Sequence, residues 1–561
     1  MSRALLQVFV GLLIAAIPLI GLARRWNVPY PIVLVIGGLV LGVIPGLPPV
    51  ALNPDLVLLI FLPPLLYWES ITAPTDEIKA NAPRVLPLAI GLVLATIAAV
   101  AAVAHALIPG MSWLVATVFG AVVAPTDEIA SVPIAERLGV PRRTTAILDG
   151  ESLLNDASSL VVYVTAVGAV VAGRFSLTNA VAEFLLAALG AFAIGLIAGK
   201  LAVEAWRRTD DTRLEAVISV LLPFVTYVTA EQLQVSGVLA VVTAGVYVNH
   251  YTPIVITPAA RIQMIGWWET TSLLINIVIF IVVGMQLHSV SALALAAHEG
   301  WGRLLLYALA INATLIVVRF AWVFAQGAIV RLVRPSRGDD TDWRLLLVTA
   351  FAGFRGVVSL AAALAIPFTV AGGHPFPERG VIAFLTFSVI LVTLVGGGLT
   401  MPALIRALRI PTEDVEIAEE REALRETARA ALERLGELER AAVVDRDFAA
   451  YLRLRYTMRL QRYAVSEGPR AKTLDEQAQH RLAIERELLE AQRQKLVELR
   501  CAGRLENQVM RRVQITLDLM EAELQRTFNA GEALEESSEL ATRELPDDSR
   551  AHAVGRSPTR P

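Results

Sequence analysis

Cysteine is almost absent: Cys501 is the single one in 561 residues. That excludes an intrachain disulfide framework and any cysteine-based metal cluster. Charge is scarce as well. Asp, Glu, Lys and Arg make up 18% of the chain, against roughly 25% in a soluble globular domain. The deficit is uneven. Up to about residue 410 the sequence is a series of apolar runs with short polar breaks, and from Thr412 onward it is dense in Glu, Arg, Gln and Ala. No basic stretch interleaves with aromatics, which excludes the usual footprint of a nucleic-acid partner. No catalytic constellation occurs either, so neither an enzyme nor a cofactor-dependent protein is expected. The net charge of -3 says little about partners.

What the chain does have is apolar sequence. It is 55% hydrophobic, with a mean hydropathy of +0.58. A helix needs roughly 20 apolar residues to cross the hydrocarbon core, and about 13 segments qualify. They lie near 4–23, 31–50, 55–73, 85–108, 112–135, 146–172, 178–203, 214–230, 235–250, 265–287, 301–330, 345–370 and 380–405. The eighth and ninth are the shortest.

Lys and Arg set the orientation, because short loops rich in them stay cytoplasmic. One alternate set of connections holds Arg24, Arg25, Lys79, Arg84, Arg137, Arg142, Arg143, Arg207, Arg208, Arg213, Arg261, Arg331, Arg334, Arg337 and Arg344. The other holds only Arg3, Arg174, Arg303 and Arg379. The expectation is an inner-membrane protein with its amino terminus outside and its carboxyl terminus in the cytoplasm. No small-residue cleavage site precedes Arg24, so the first segment is expected to be a span rather than a signal peptide.

Charged side chains at membrane depth cost several kcal/mol and usually mark a pathway or a pair. Five segments carry them: Glu69 in the third, Asp127 and Glu128 in the fifth, Asp149, Glu151 and Asp156 in the sixth, Arg319 in the eleventh and Arg355 in the twelfth. Ser152 and Asp156 are four apart on one helix face, and Glu151 and Asn155 form a second such pair about 100° away. Carboxylate, hydroxyl and backbone carbonyl are the oxygens a small hard cation needs. Ser152 or Asn155 alone reads as a helix-pinning hydrogen bond. The acids together outnumber the two arginines and read as an ion site. Pro125 and Pro133 break the fifth segment, and Gly353, Gly356 and Pro367 the twelfth. Paired broken helices point to a transporter site near the midplane. Asp127 would face the positive half-helix ends and Arg355 the negative ones.

Leu62-Pro63-Pro64, Pro125-Thr126-Asp127, the heptad Gly150 to Asp156 and Phe354-Arg355-Gly356-Val357-Val358-Ser359-Leu360 resemble, in order and spacing, motifs of the sodium/proton exchangers. That is a branch of the monovalent cation:proton antiporters. Ser236 to Gly245 is similar to the family's ninth helix. The resemblance covers about residues 5–410, and the Gly150–Asp156 heptad is its most specific part.

It implies an all-α membrane fold of about 13 transmembrane helices in two inverted repeats with broken crossing helices, acting as a homodimer. Helices 4–6 and 11–13 would transport, and helices 1–3 and 8–10 would form scaffold and dimer contact. Asp156 would bind sodium or proton, with Ser152, the Thr126 backbone and Glu69 completing the sodium shell and Asp127 reached through water. Asn155 would belong to the same ion site. Glu151 would be tied to Arg319, with Arg355 as the alternative partner. Where the family usually has proline after Thr-Asp, this chain has Glu128, an added acid that bears on ion selectivity.

Three regions are expected: a transmembrane antiporter domain over 1–410, a cytoplasmic helical region over 411–530, broken at Gly468-Pro469, and a disordered tail over 531–561. The expected function is exchange of cytoplasmic sodium, or potassium or lithium, for external protons. The alternative is a gated monovalent cation channel using the same acids as a selectivity ring.

Overall fold

In lipid every backbone polar group must be satisfied inside its own segment, so apolar runs of this length fold as helices. The computed structural model describes residues 3–26, 28–44, 57–173, 177–209, 211–296, 300–333, 342–410, 415–464, 484–485, 487–499, 509–510, 513–514 and 516–521. Among them there is no strand beyond an isolated bridge between Thr369 and Pro375, so the fold is all-α. Met1–Pro411 forms one unit and Thr412–Pro561 another.

In the first unit the helices are α1 (Arg3–Trp26), α2 (Tyr30–Val43), α3 (Leu62–Thr72), α4 (Thr75–Ala80) and α5 (Ala82–Leu107). Then come α6 (Trp113–Val123), α7 (Ser131–Arg137), α8 (Arg142–Ala172), α9 (Leu177–Arg207), α10 (Thr212–Gln232) and α11 (Gly237–Val255). The unit closes with α12 (Pro258–Ala296), α13 (Trp301–Val333), α14 (Trp343–Phe351), α15 (Val357–Leu364) and α16 (Arg379–Leu408). Starts are marked by side-chain caps: Ser112, Asp211, Ser236 and Asp342 each accept a backbone N–H of the first turn.

Among the described residues, eight helices are long and apolar enough to cross a membrane: α5, α8, α10, α11, α13, α16 and the greater parts of α9 and α12. α2 and α6 are shorter apolar helices. The short eighth and ninth expected spans are thus the full helices α10 and α11, whereas the fifth and twelfth are each two short helices. The second ends sooner than 31–50 implies. Ile44 stands before Pro45 and is extended, as the residue ahead of a proline prefers.

Small residues let two helices touch through their backbones. A Cβ on Gly38 of α2 would overlap the carbonyl of Ile281, and one on Gly284 of α12 the carbonyl of Val35. α11 packs on both α9 and α3, and its Asn249 amide donates to the carbonyls of Ser70 (3.3 Å) and Ala73 (2.8 Å) that end α3.

In the second unit α17 (Val415–Arg440) and α18 (Arg446–Ala464) pair as a hairpin over Ala428, Leu435 and Ala449, with an Arg453–Glu439 ion pair across it. Leu489, Leu496 and Leu517 form a separate small apolar cluster. Gly468-Pro469 and the stretch 531–561 lie outside the described residues.

Candidate ion site at two broken helices

α6 stops at Val123 and α7 starts at Ser131; α14 stops at Phe351 and α15 starts at Val357. Pro125 has no N–H to continue α6. Pro133 lies in the first turn of α7, where proline is tolerated. Pro367 falls beyond α15, so on that side the break is made by Gly353 and Gly356. The two breaks touch. Asp127 N–H donates to the Phe354 carbonyl at 2.9 Å, and a Cβ on Gly356 would overlap Asp127 Oδ2.

Breaking a helix exposes carbonyls with partial negative charge at one cut end and N–H groups with partial positive charge at the other. Two buried arginines meet the carbonyls. Arg355 donates from Nε to Val123 O (3.2 Å) and from Nη1 to Gly353 O (2.5 Å). Arg319, from α13, donates to Ala350 O (3.1 Å) and Thr349 O (2.9 Å). Asp127 serves the other polarity: Oδ1 accepts Ile129 N–H at 2.9 Å, and Oδ2 lies against Gly356 at the start of α15.

α8 passes beside the crossing and brings four side chains to it. Glu151 takes Arg319 Nη1 at 2.5 Å on Oε1 and Nη2 at 3.1 Å on Oε2, and Thr126 Oγ1 donates to the same Oε1 at 3.0 Å. Of the two arginines open to Glu151, the bonded one is Arg319; Arg355 is occupied with carbonyls. Ser152 Oγ donates to Thr126 O at 2.9 Å. Asn155 Nδ2 donates to Thr126 Oγ1 at 2.7 Å, so its amide holds the threonine in place. Asp156 is 4% exposed, and its charged neighbours are Asp127 and Glu128, both acids.

A cavity of about 430 Å³ adjoins this cluster, lined by Tyr30, Glu69, Glu128, Asp149, Leu153 and Asn276 among others. Glu69 comes from α3 and has Asp156, Asp127 and Asp149 as charged neighbours. The expected residues are therefore gathered in one region, though not as a closed shell. Thr126, Ser152, Asn155, Glu151 and Arg319 form one hydrogen-bonded cluster, while Glu69 and Asp156 face it without a hydrogen bond to it. Among the described residues no three Asp, Glu, His or Cys side chains converge as a metal-binding group. Asp149 reads from sequence as one of the sixth segment's charges with no part in the site, and Asn276 and the carbonyls of Thr349 and Ala350 are not singled out there. Asn276 is a polar residue inside the apolar run Leu273–Val283, and Asp149 precedes Ser152 by one helical turn. Those were available signals. The carbonyls carry none, because every residue has one.

The profile described as "Sodium/hydrogen exchanger, transmembrane" matches residues 10–407. A Na(+)/H(+) exchanger of Mycobacterium bovis, described as uncharacterized, is 36% identical over 505 residues, covering 88% of this chain and 92% of its own length. A sodium, potassium, lithium and rubidium/H(+) antiporter of Bacillus pumilus is 34% identical over 388 residues, 67% of this chain and 58% of its own. The solved structure of the sodium proton antiporter of Methanocaldococcus jannaschii at pH 8 matches with a TM-score of 0.57 at 21% identity, over 72% of this chain and 99% of that one. That likeness shows the fold. These relatives do not favour the gated-channel alternative. The chain belongs to the sodium/hydrogen exchanger family and is a multi-pass membrane antiporter of cations and protons, not an enzyme.

Proposed function

We propose that the protein exchanges cytoplasmic sodium for external protons, one for one, with Asp156 as the carboxylate that both substrates share. The observation that carries this is a contrast on α8. Glu151 is held on both oxygens by Arg319, whereas Asp156 is equally buried and has only acids as charged neighbours. A buried carboxylate without a counter-charge needs a proton or a cation. Ser152 Oγ, the Thr126 carbonyl and Glu69 would supply further oxygens to sodium, and Asp127 would act through water.

Sodium and proton then compete for one group. Rocking of a transport domain past a scaffold exposes it to one side and then the other. The inward proton gradient drives sodium out, in keeping with a role in sodium and pH homeostasis. Asn155 cannot take a proton and Glu151 is held by its arginine, so one carboxylate trades and no net charge moves. The Bacillus relative's name adds potassium and lithium as candidate substrates. Working as a homodimer in the inner membrane, amino terminus outside, is part of the same proposal.

The test is proton flux in proteoliposomes with each cation added in turn, for the wild type and Asp156→Asn. Sodium-dependent flux in the wild type and its loss in the variant are expected. Retained exchange above about a tenth of wild type, a loss of barely 1.4 kcal/mol in the barrier, would sink the assignment.

A further inference from the structure

Glu128 follows Asp127 directly, at a position where the family resemblance leads one to expect proline, and the exchange proposed above gives it no part. Its carboxyl lies beside the Ser152 hydroxyl. It lines the cavity of about 430 Å³, and its Oε2 is buried without a partner. The two arginines at the crossing are bonded elsewhere, Arg319 to Glu151 and Arg355 to Val123 and Gly353.

The state of Ser152 shows what such a neighbour can do. A hydroxyl has one proton and two lone pairs. Here the Ser152 proton points to Thr126 O, 2.9 Å away, and that carbonyl is one of the oxygens proposed for sodium. A cation cannot sit between Ser152 Oγ and Thr126 O while a proton lies on the line joining them. Loading therefore requires the hydroxyl to turn toward a different acceptor. Two are open to it. One is the carbonyl of Leu148, four residues back on the same helix, a common partner for a helical serine. The other is the Glu128 carboxylate beside it.

The geometry points to Glu128 as that acceptor. With the ion shell proposed above as premise, Ser152 turns its proton from the Thr126 carbonyl to the Glu128 carboxylate when the cation enters. Both the serine lone pairs and the carbonyl are then free to face the ion. On release the hydroxyl turns back. No proton is transferred and no covalent bond changes. Glu128 is favoured over the Leu148 carbonyl for this task because its Oε2 has no partner, whereas a carbonyl inside α8 already accepts a backbone N–H. Glu128 touches the serine and not the ion, which makes it a positioning residue.

The experiment is the sodium dependence of proton flux in proteoliposomes for wild type, Glu128→Gln, Glu128→Ala and Ser152→Ala, and for the double variant Glu128→Ala/Ser152→Ala. Glutamine keeps an oxygen that accepts the hydroxyl, so its sodium KM stays within about threefold of wild type. Alanine keeps none, and KM rises about tenfold, equivalent to roughly 1.4 kcal/mol, with the maximal rate changed far less. In the Ser152→Ala background, Glu128→Ala adds nothing further. Should the alanine variant not fold, Glu128→Met fills the same volume without an acceptor and serves in its place. Three results would overturn the inference: Gln as damaging as Ala, which makes charge the agent; Ala without effect, which leaves the proton to Leu148; or independent, multiplying effects of the two sites. Absence of sodium-driven flux in the wild type would overturn the exchange itself, and this inference with it. Asp156-dependent exchange that is indifferent to Glu128 would overturn this inference alone.

Discussion

Two acids five residues apart on α8 should respond in opposite ways to losing their charge. Glu151 and Arg319 are 2% and 3% exposed and bonded at two points. Removing one partner leaves the other charged and buried, at a cost of about 3–5 kcal/mol. Glu151→Gln and Arg319→Leu should therefore lower both the yield of folded protein and its Tm, read by fluorescence-detected size exclusion after heating. Exchanging the two charges should not restore either. Arg319 also donates to the carbonyls of Thr349 and Ala350, and a carboxylate in its place would meet two acceptors. Asp156→Asn removes a charge that no basic group balances, so that variant should keep the wild-type yield and Tm while losing exchange. A Tm as low as that of Glu151→Gln would place Asp156 among the structural residues instead.

At the scale of elements, the crossing depends on backbone approaching side chain where no Cβ fits. A methyl on Gly356 would overlap Asp127 Oδ2, and one on Gly353 would overlap Arg319 Cδ. Both neighbours are pinned, Asp127 by Ile129 N–H and Arg319 by Glu151, so neither yields easily. Gly356→Ala should cost about 1–3 kcal/mol as overpacking and abolish exchange. Gly168, on the same α8 as Asp156, has nothing within 4 Å of where a Cβ would go. Gly168→Ala should leave exchange intact and match or raise the Tm, since alanine is the better helix former by about 1 kcal/mol. Equal loss in both variants would show that glycine flexibility along these helices, and not the contact at the crossing, is what exchange requires.

For the whole molecule, every residue assigned to the ion site falls within Met1–Pro411, the first of the two units. A chain ending at Pro411 should therefore insert and retain sodium-dependent proton flux, with any regulatory part of the tail showing as a changed rate or pH profile. Complete loss in a well-inserted truncation would make the tail part of the transport machinery. One-for-one exchange also has a signature of its own. With the membrane potential clamped by potassium and valinomycin, the exchange rate should be the same at all potentials. A rate that follows potential, and stops following it in Glu128→Gln, would put a second charge on Glu128 and end the one-carboxylate mechanism.

Sequence determined by itself the class of the protein and the depth of its charges. The apolar length of a span is a local property, and so is the i, i+4 face shared by Ser152 and Asp156. The four motifs that resemble the exchangers are short enough to be read without a fold. Two element bounds differ from the apolar runs: α2 stops at Val43, two residues ahead of Pro45, and the break before α15 owes nothing to Pro367. Only the tertiary structure decided which partner each charge takes. Glu151 and Arg319 are 168 residues apart in the chain, and Arg355 was as plausible from spacing alone. The bond from the Asn155 amide to the Thr126 hydroxyl, 29 residues away in the chain, is another such pairing. Pairing of this kind follows from helices packed side by side, and no periodicity along one helix records which neighbour it will meet.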